Sequence, residues 1–397
     1  MIRIFIFIFL SLFVISCNNE DCQLKYSSPQ GAILLGNLEG YGTEIVSHEY
    51  ENGYGVITFD EPINTIPKSA FKDCHIRSLI IPCSVTSIEE AAFFGCANLA
   101  SVTIPNSVVS IGDHAFDGCS GLTSVIIGSG VTLIGDYAFE KCSNLTSIII
   151  PDNVTTIGDH AFDGCSGLTS VMIGSGVTSV GEHAFDGCMS LTSITIGSGV
   201  NSIGNHAFND CRSIEKVYIS EIANWCNISF GDNPLYKGAN LYCNGELITN
   251  LTIPDCVPEI RHSAFRGCSS LKSVVISDST TLIGSQAFYD CRSLTNITIG
   301  IGVTLIENEA FMECNLKEIY CKAETPPIGR KSLLRARESS SSVSAENFAY
   351  YLKNGISKTE TWKSYNCTIY VPHNSVDAYK SAKGWEVCAN QIVGYDF

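Results

Sequence analysis

An Ala-Phe pair returns along most of this chain at intervals of 23 residues. The phenylalanines of these pairs occupy positions 71, 93, 116, 139, 162, 185, 208, 265, 288 and 311. Two intervals differ, with 22 residues between Phe71 and Phe93 and 57 residues between Phe208 and Phe265. A fixed period of this length predicts a solenoid, in which each coil packs on its neighbours and no coil is stable alone. We therefore expect one elongated stack in place of several globular domains.

Each repeat predicts two short extended runs and one tight turn. In a typical coil, the alternation that includes Leu122 and Val125 indicates a first strand with apolar side chains facing inward. A second run ends at Gly135, which we expect to adopt an unusual backbone angle. Asp136 is expected to cap a single helical or 3₁₀ turn that buries Phe139. Stacked ~4.8 Å apart, ten such coils would extend roughly 50 Å.

Three motifs recur together between residues 54 and 325: L-x-x-V-x-I followed by Pro or Gly, then V-x-x-I-G, then A-F-x-x-C. In these motifs the chain resembles the BspA-like (Treponema-type) class of bacterial leucine-rich repeats. Its ending is also similar, with Ile369-Tyr370-Val371-Pro372 followed by a terminal Gly394-Tyr395-Asp396-Phe397. The resemblance implies a β-rich, right-handed leucine-rich-repeat solenoid of about ten coils. It also implies a cell-surface protein, and some characterised members bind host extracellular-matrix proteins or other bacteria.

Four segments are expected: a lipoprotein signal peptide (1–16), a tether with an N-terminal cap (17–53), the solenoid (54–325) and a C-terminal cap (326–397). An insertion at about 220–250 contains an Asn-Gly turn, and we expect it to bulge from the stack as a short helix and a hairpin. An irregular loop is expected at about 329–366, where a basic run precedes a serine run.

The N-terminus indicates export. A positively charged start precedes an apolar run that is too short to span a bilayer comfortably. Val14-Ile15-Ser16-Cys17 resembles the bacterial lipobox, in which the cysteine is acylated; an ordinary signal peptide with an incidental cysteine is the alternative. The acidic residues after Cys17 resemble surface-export sequences of Bacteroidetes lipoproteins. We therefore expect lipid anchoring in the outer membrane through Cys17, with exposure at the cell surface.

Ten of the nineteen cysteines follow the repeat phenylalanine by three residues. Many cysteines in an exported chain ordinarily suggest disulfides. In a solenoid, however, these ten side chains run parallel along the stack and are poorly placed to bridge. We expect buried free thiols at Cys74, Cys96, Cys119, Cys142, Cys165, Cys188, Cys211, Cys268, Cys291 and Cys314. A disulfide within the set Cys226, Cys243 and Cys256 stays open.

Four histidines share the coil position two residues before the phenylalanine: His114, His160, His183 and His206. Beside the neighbouring carboxylates, such a row has the ligand types of a metal site. An outward, solvent-facing position is the better interpretation, because Tyr137 interrupts the row and Ser263, Gln286 and Glu309 replace it later. The carboxylates predict a solvated acidic stripe: Asp113, Asp117, Asp159, Asp163, Glu182 and Asp186. We therefore predict no metal and no cofactor.

Charge and motifs argue against two classes of function. The net charge of -16, with 24 Lys and Arg, argues against nucleic-acid binding, which depends on cationic neutralisation of phosphates. No nucleophile elbow, H-E-x-x-H motif, P-loop or dinucleotide fingerprint occurs in a supporting context. Ser, His and Asp recur in so many coils that a triad drawn from them carries no information. We expect a protein that is not an enzyme.

Leucine-rich repeats usually bind through the outward residues of the first strand. The candidate binding residues are Ser124, Ile126, Ser147, Ile149, Ser170, Met172, Ser193, Thr195, Lys216, Tyr218 and Tyr320. The central part of this strip is flat and uncharged, which suits an extended protein or a polymer better than a charged small molecule. The alternative is a permissive surface without a tailored site, because neighbouring coils are nearly identical and imply recent duplication.

We predict adhesion to host or microbial surface proteins. A glycan-binding accessory lipoprotein for nutrient capture is the second hypothesis, and a passive envelope spacer is the third. An aromatic platform along the strip would favour a glycan, and Tyr218 and Tyr320 are the aromatic residues found there. A protein partner is accordingly preferred.

Overall fold

The computed structural model describes residues 22–36, 38–329 and 367–397. Here the chain winds into a parallel β-solenoid of about 13 turns, with a spacing near 23 residues and very little helix. The predicted leucine-rich-repeat solenoid is confirmed, with more coils than the Ala-Phe pairs indicate. The predicted signal peptide, Cys17 and almost all of the loop at 329–366 lie outside the described residues.

The first strand of each coil contributes to one side of the solenoid, which we name the strand face. Its strands lie in three consecutive sheets, and neighbours within the repeats pair in parallel at an offset of one coil, as Ser147 with Ser170. The strands are Ser78–Ile80, Ser101–Thr103, Ser124–Ile126, Ser147–Ile150, Ser170–Ile173, Ser193–Thr195, Lys216–Ile219, Asn240–Cys243, Asn250–Thr252, Ser273–Val275, Asn296–Ile299, Glu318–Cys321, Thr368–Pro372 and Ile392–Tyr395.

The second strand of each coil is two residues long, and these strands form a second side that we name the second sheet. It consists of a parallel eight-stranded sheet and a parallel four-stranded one. The strands are Thr65–Ile66, Ser87–Ile88, Ser110–Ile111, Leu133–Ile134, Thr156–Ile157, Ser179–Val180, Ser202–Ile203, Ser229–Phe230, then Glu259–Ile260, Leu282–Ile283, Leu305–Ile306 and Ile328–Gly329.

The third side carries the Ala-Phe segments, and we name it the turn side. The expected helical or 3₁₀ turn is instead a run of β-turns that alternates two kinds of hydrogen bond. The amides of Ala138 and Glu140 donate within the coil, to the carbonyls three residues earlier, whereas those of Tyr137 and Phe139 donate to the next coil. Half of the amides in this segment are therefore satisfied by stacking, so the turn depends on its neighbour.

Gly135 was predicted to adopt an unusual backbone angle, and this prediction is wrong. Positive φ occurs two residues later, at Tyr137 (φ 57°) and at the equivalent histidines. Glycine is needed at 135 because a Cβ would lie 2.7 Å from the Asp113 nitrogen and 2.8 Å from the Gly112 carbonyl carbon. Such a side chain would clash with the preceding coil. Close approach of two backbones, and not backbone rotation, fixes this residue.

The core is a column of stacked phenylalanine rings with a ladder of thiols beside it. Ring centroids from Phe71 to Phe208 are 4.9 to 5.6 Å apart, and the planes deviate by at most 11°. The ladder cysteines are free thiols, mostly buried, as predicted. Most of these thiols also donate a hydrogen bond to the phenylalanine carbonyl of the preceding coil, as Cys119 Sγ does to Phe93 O at 3.2 Å. The small apolar side chain thus also satisfies a polar group.

The insertion at 220–250 forms a coil of the solenoid instead of bulging from it. Its helix α1, Ile222–Cys226, precedes the second-sheet strand Ser229–Phe230, and Asn240–Cys243 then joins the strand face. The expected hairpin is present, because Glu246–Leu247 turns back on Asn240–Cys243 through Asn244 and Gly245, both at positive φ. Cys226, Cys243 and Cys256 are free thiols.

Both ends of the stack are covered. At the N-terminal end, antiparallel strands Gln23–Ser27, Ile45–Glu51 and Tyr54–Phe59 lie on the first coil, together with the 3₁₀ turn Leu38–Tyr41. At the C-terminal end, Trp385 Nε1 donates to Pro327 O at 2.9 Å. The elements there are the 3₁₀ turns His373–Ser375 and Glu386–Gln391 and helix α2, Val376–Ser381. These caps hide the apolar core that a terminal coil would otherwise expose.

Candidate functional site

The strand face carries two outward rows of side chains in register. One row runs Ser147, Ser170, Ser193, Lys216, and the other runs Ile149, Met172, Thr195, Tyr218. Ser124 and Ile126 lie on the neighbouring strand and pair with Ser101 and Thr103. The residues between the rows point into the core. The structure thus brings ten of the eleven candidate residues together, and Tyr320 lies apart, in the third of the face's sheets.

The second row carries large aliphatic side chains that are accessible. Ile126 is 60% exposed, Ile149 is 53% exposed and Met172 is 49% exposed. Ile80, at the start of the row, is likewise exposed. From strand Ser78–Ile80 to strand Ser193–Thr195 neither row contains a charged residue. An uncharged strip with large exposed aliphatic side chains therefore crosses six consecutive coils of an acidic protein.

Further aromatic residues lie next to Tyr218 and Tyr320 on the strand face, and the sequence analysis missed them. Tyr242 pairs with Tyr218, and Tyr370 pairs with Tyr320. Tyr395 and Phe397 pack beside that second pair. The alternation of Asn240-Leu241-Tyr242-Cys243, which matches that of Lys216-Val217-Tyr218-Ile219, is the signal that could have revealed Tyr242.

One face of Tyr320 is covered by the ring of Tyr370, and Tyr395 and Phe397 crowd the same pair. Tyr320 stacks on Tyr370 at 4.5 Å with an angle of 11° between the planes, and Tyr395 lies across the edges of both. In-register stacking follows from the parallel pairing, which places equal rows ~4.8 Å apart. A sugar that stacks on an aromatic ring needs a free ring face. The cluster thus packs on itself, which reduces the ring area that is open to a sugar.

On the turn side, the histidine row is an unbroken column of rings. His114, Tyr137, His160 and His183 stack at centroid distances of 4.6 Å with planes within 5° of parallel. Tyr137 therefore continues the row that it was expected to interrupt. These residues have φ near 55°, a conformation in which histidine is enriched among non-glycine residues. Backbone conformation and stacking together account for the recurrent histidine.

The carboxylates of this side are structural, and one of them is buried. Asp117 is 7% exposed and Asp117 Oδ2 lies 2.9 Å from His114 Nδ1, so it does not belong to a solvated stripe. His160 and His183 pair in the same way with Asp163 and Asp186. A second row joins the coils, because Asp136 Oδ1 accepts from the Asp159 amide at 2.8 Å. Asp136 consequently links two coils, where a cap within its own coil was expected.

One group of potential metal ligands lies in this region. His114, Asp117 and Glu140 bring ligating atoms within 4.8 Å of one another. Each already has a partner, since His114 pairs with Asp117 and Glu140 Oε1 lies 2.6 Å from Lys141 Nζ. Burial raises the pKa of Asp117, which disfavours the carboxylate that a cation needs. The group is explained as an ion-pair cluster.

One protein-family model matches the sequence of this chain. The BspA type leucine rich repeat region matches residues 64–178, 132–237 and 236–354. The chain belongs to the BspA-type leucine-rich-repeat family. The resemblance seen in the repeat motifs is thereby confirmed. A comparison with curated proteins finds no match for this BspA-type chain.

Solved structures of bacterial leucine-rich-repeat proteins are also similar to this BspA-type chain. A leucine rich cell surface protein from Faecalibacterium prausnitzii A2-165 is 26% identical over 75% of this chain and 88% of its own, with a TM-score of 0.40. A leucine-rich repeat protein from Bacteroides ovatus ATCC 8483 is 19% identical over 88% and 90%, with a TM-score of 0.44. The pneumococcal vaccine antigen PcpA is 17% identical over 85% of each chain, with a TM-score of 0.38.

Within residues 22–36, 38–329 and 367–397, no helix has the length and apolar character to cross a bilayer.

Proposed function

We propose that this protein is a lipid-anchored, non-enzymatic adhesin that binds an extracellular protein through the strand face. The observation that carries the proposal is the uncharged strip from strand Ser78–Ile80 to strand Ser193–Thr195. Contiguous exposed apolar side chains on an otherwise polar protein mark interaction surfaces. A host matrix protein or the surface protein of another bacterium is the partner class.

The chemistry of the strip favours a protein over a small polar ligand. Ile126, Ile149 and Met172 offer aliphatic contact area, and the serine row beside them offers hydroxyl groups that both donate and accept hydrogen bonds. The centres of protein interfaces are likewise depleted of charged residues. The solenoid holds the strip flat and rigid, so little conformational entropy is lost when a partner binds.

The glycan hypothesis has less support on this surface. It depends on aromatic faces, and the rings of Tyr320 and Tyr370 are already stacked on each other. Tyr218 and Tyr242 are likewise neighbours, with centroids 5.0 Å apart. A protein partner uses side-chain edges and aliphatic groups and does not need a free ring face.

Anchoring at the cell surface is supported by the N-terminal sequence. The apolar run ends at Val14-Ile15-Ser16-Cys17, in which Cys17 has the position of an acylated cysteine. Two or more acyl chains are needed for stable attachment to a bilayer, because one chain gives marginal binding. In this proposal Cys17 tethers the protein to the outer membrane from the N-terminal side of the solenoid.

A binding screen tests the proposal. The mature chain, starting at residue 17, is applied to a panel of immobilised extracellular-matrix proteins and to a glycan array. We expect saturable binding to at least one protein, with a dissociation constant that changes less than about threefold between 0.05 and 0.5 M NaCl, because the strip has no charge to screen. Saturable binding to glycans alone, or protein binding that salt abolishes, would contradict the proposal.

A further inference from the structure

The column of rings on the turn side has an open end at His206. His160 and His183 have a ring on each face and are half-buried. His206 stacks on His183 at 4.9 Å, but no ring of the described residues lies on its other face, and its side chain is exposed. The end of the column is therefore a free imidazole face on the surface of the protein.

The insertion coil causes this opening. Its strand Ser229–Phe230 pairs with Ser202–Ile203, so Asn233 occupies the coil position of His206. Asn233 is buried, and its Nδ2 donates to the carbonyls of Ser263 and Ala264 at 2.6 and 3.0 Å. Its side chain thus points inward and leaves the next place in the column without a ring.

A cavity of about 260 Å³ lies at this place. Its polar lining comes from the last regular coil and from the insertion coil: Asn205, His206, Asn209, Asp232, Tyr236 and Lys237. The volume is below the roughly 300–1,000 Å³ of pockets that bury drug-sized ligands. A ligand of one ring fits this space.

The lining differs from the equivalent surface of the other coils. Asn209 stands where Asp163 and Asp186 stand, so His206 lacks the carboxylate that pairs with the other histidines. Asn209 Nδ2 donates to Asp186 Oδ1, and Asn205 Nδ2 donates to Glu182 Oε1 at 2.9 Å. These contacts hold the two amides in place, and their oxygens are acceptors for a ligand.

Asp232 adds a carboxylate to the same cavity. Its Oδ2 accepts from the Phe208 amide at 3.1 Å, which fixes the side chain next to His206. A half-buried carboxylate held by the backbone is a directional acceptor for hydroxyl groups.

We infer that this cavity binds a single neutral sugar residue, free or at the end of a glycan. The apolar C–H face of a sugar ring stacks on the free face of His206, whose π-system attracts C–H groups. Its hydroxyl groups match amides that both donate and accept and a carboxylate that accepts. The net charge of -16 disfavours anionic ligands. The site lies on the turn side, so it is independent of protein binding by the strand face.

The test uses the mature chain and a panel of neutral methyl hexosides and N-acetylhexosaminides. Ligand-observed saturation-transfer NMR and calorimetric titration should detect saturable binding of at least one glycoside, with a dissociation constant on the order of 1 mM. His206→Ala and Asp232→Asn should each weaken binding at least about tenfold. His160→Ala, the same substitution within the closed part of the column, should bind as the unmodified protein does.

Three outcomes would overturn the inference. These are no saturable binding of any glycoside, unchanged affinity in both His206→Ala and Asp232→Asn, and binding of indole or a nucleobase with no glycoside binding. If a variant loses the circular dichroism spectrum of the native protein, Asn209→Ala replaces it, and unchanged affinity in that variant counts equally against the site.

Discussion

Replacing Phe162 by alanine should destabilise the solenoid at the centre of its ring column. Phe162 is fully buried and lies between Phe139 and Phe185, with centroids 5.2 Å away on both sides. Removal of a buried phenylalanine side chain typically costs about 3–5 kcal/mol of unfolding free energy. The column adds two ring contacts of about 0.5–1.5 kcal/mol each. Phe162→Ala should therefore lie at the upper end of that range.

Phe162→Leu is the matched variant, because it removes the ring contacts but keeps a branched apolar side chain and so leaves a smaller cavity than alanine does. We expect it to cost about 1–3 kcal/mol. Urea unfolding at 25 °C, followed by far-ultraviolet circular dichroism and by tryptophan fluorescence, measures both variants. All three tryptophans, Trp225, Trp362 and Trp385, follow Phe162 in the sequence, and a repeat array couples only neighbours. The dichroism midpoint should thus fall more than the fluorescence midpoint. A loss below about 1 kcal/mol for Phe162→Ala would refute the stacked core.

Three further predictions concern the glycine contacts, the thiols and the anchor. Gly158→Ala should lower the thermal midpoint, at a cost of about 1–3 kcal/mol, because a Cβ would lie 2.6 Å from the Gly135 carbonyl carbon; an unchanged midpoint would count against the close approach of coils. Burial raises the pKa of Cys226 from 9.0 to about 12. The unfolded chain therefore releases this proton first, and stability present below pH 9 should be lost as the pH rises toward 12, by up to ~1.4 kcal/mol per unit; Cys226→Ala should show a shallower decline, and equal slopes would contradict the assignment. Cys17→Ala should abolish incorporation of labelled palmitate and release the protein from the membrane fraction, and retained labelling would refute the anchor.

The fold was predictable because the same residue types recur at the same positions of each coil, so the pattern of one coil supports the assignment of the others. An apolar position that recurs ten times, such as that of Phe139 or Cys142, indicates a core residue. The insertion coil was harder to recognise, since Phe230 and Leu241 take core positions without the Ala-Phe and cysteine signals. Counting Ala-Phe pairs therefore underestimated the coils.

The finer features depend on contacts between coils, which a single coil does not contain. Gly135 is constrained by the backbone of the preceding coil, so the residues next to it in the sequence do not reveal its role. Tyr137 reads as an interruption among histidines, yet any flat ring continues a stacked column. Asp117 reads as a surface acid, although its pairing with His114 buries it.

Of the two candidate binding surfaces, the strand face was predictable from the sequence and the cavity beside His206 was not. Alternation along each strand predicted which residues of the strand face point outward, including Ile149 and Met172. The cavity beside His206 was not predicted, because it arises where Asn233 breaks the ring column and the insertion sets the position of Asp232. Such a site appears only when two unlike coils are placed side by side.

The most direct test of the binding surface compares the same substitution on two sides of the solenoid. Ile149→Lys places a charge in the centre of the strand face, and Leu133→Lys places one on the second sheet, where Leu133 is 44% exposed. With the partner found in the matrix-protein screen, surface plasmon resonance should show at least about tenfold weaker binding for Ile149→Lys, since an unpaired charge must be desolvated in the interface. Leu133→Lys should bind as the unmodified protein does. Equal affinity of both variants, or a loss confined to Leu133→Lys, would contradict binding through the strand face.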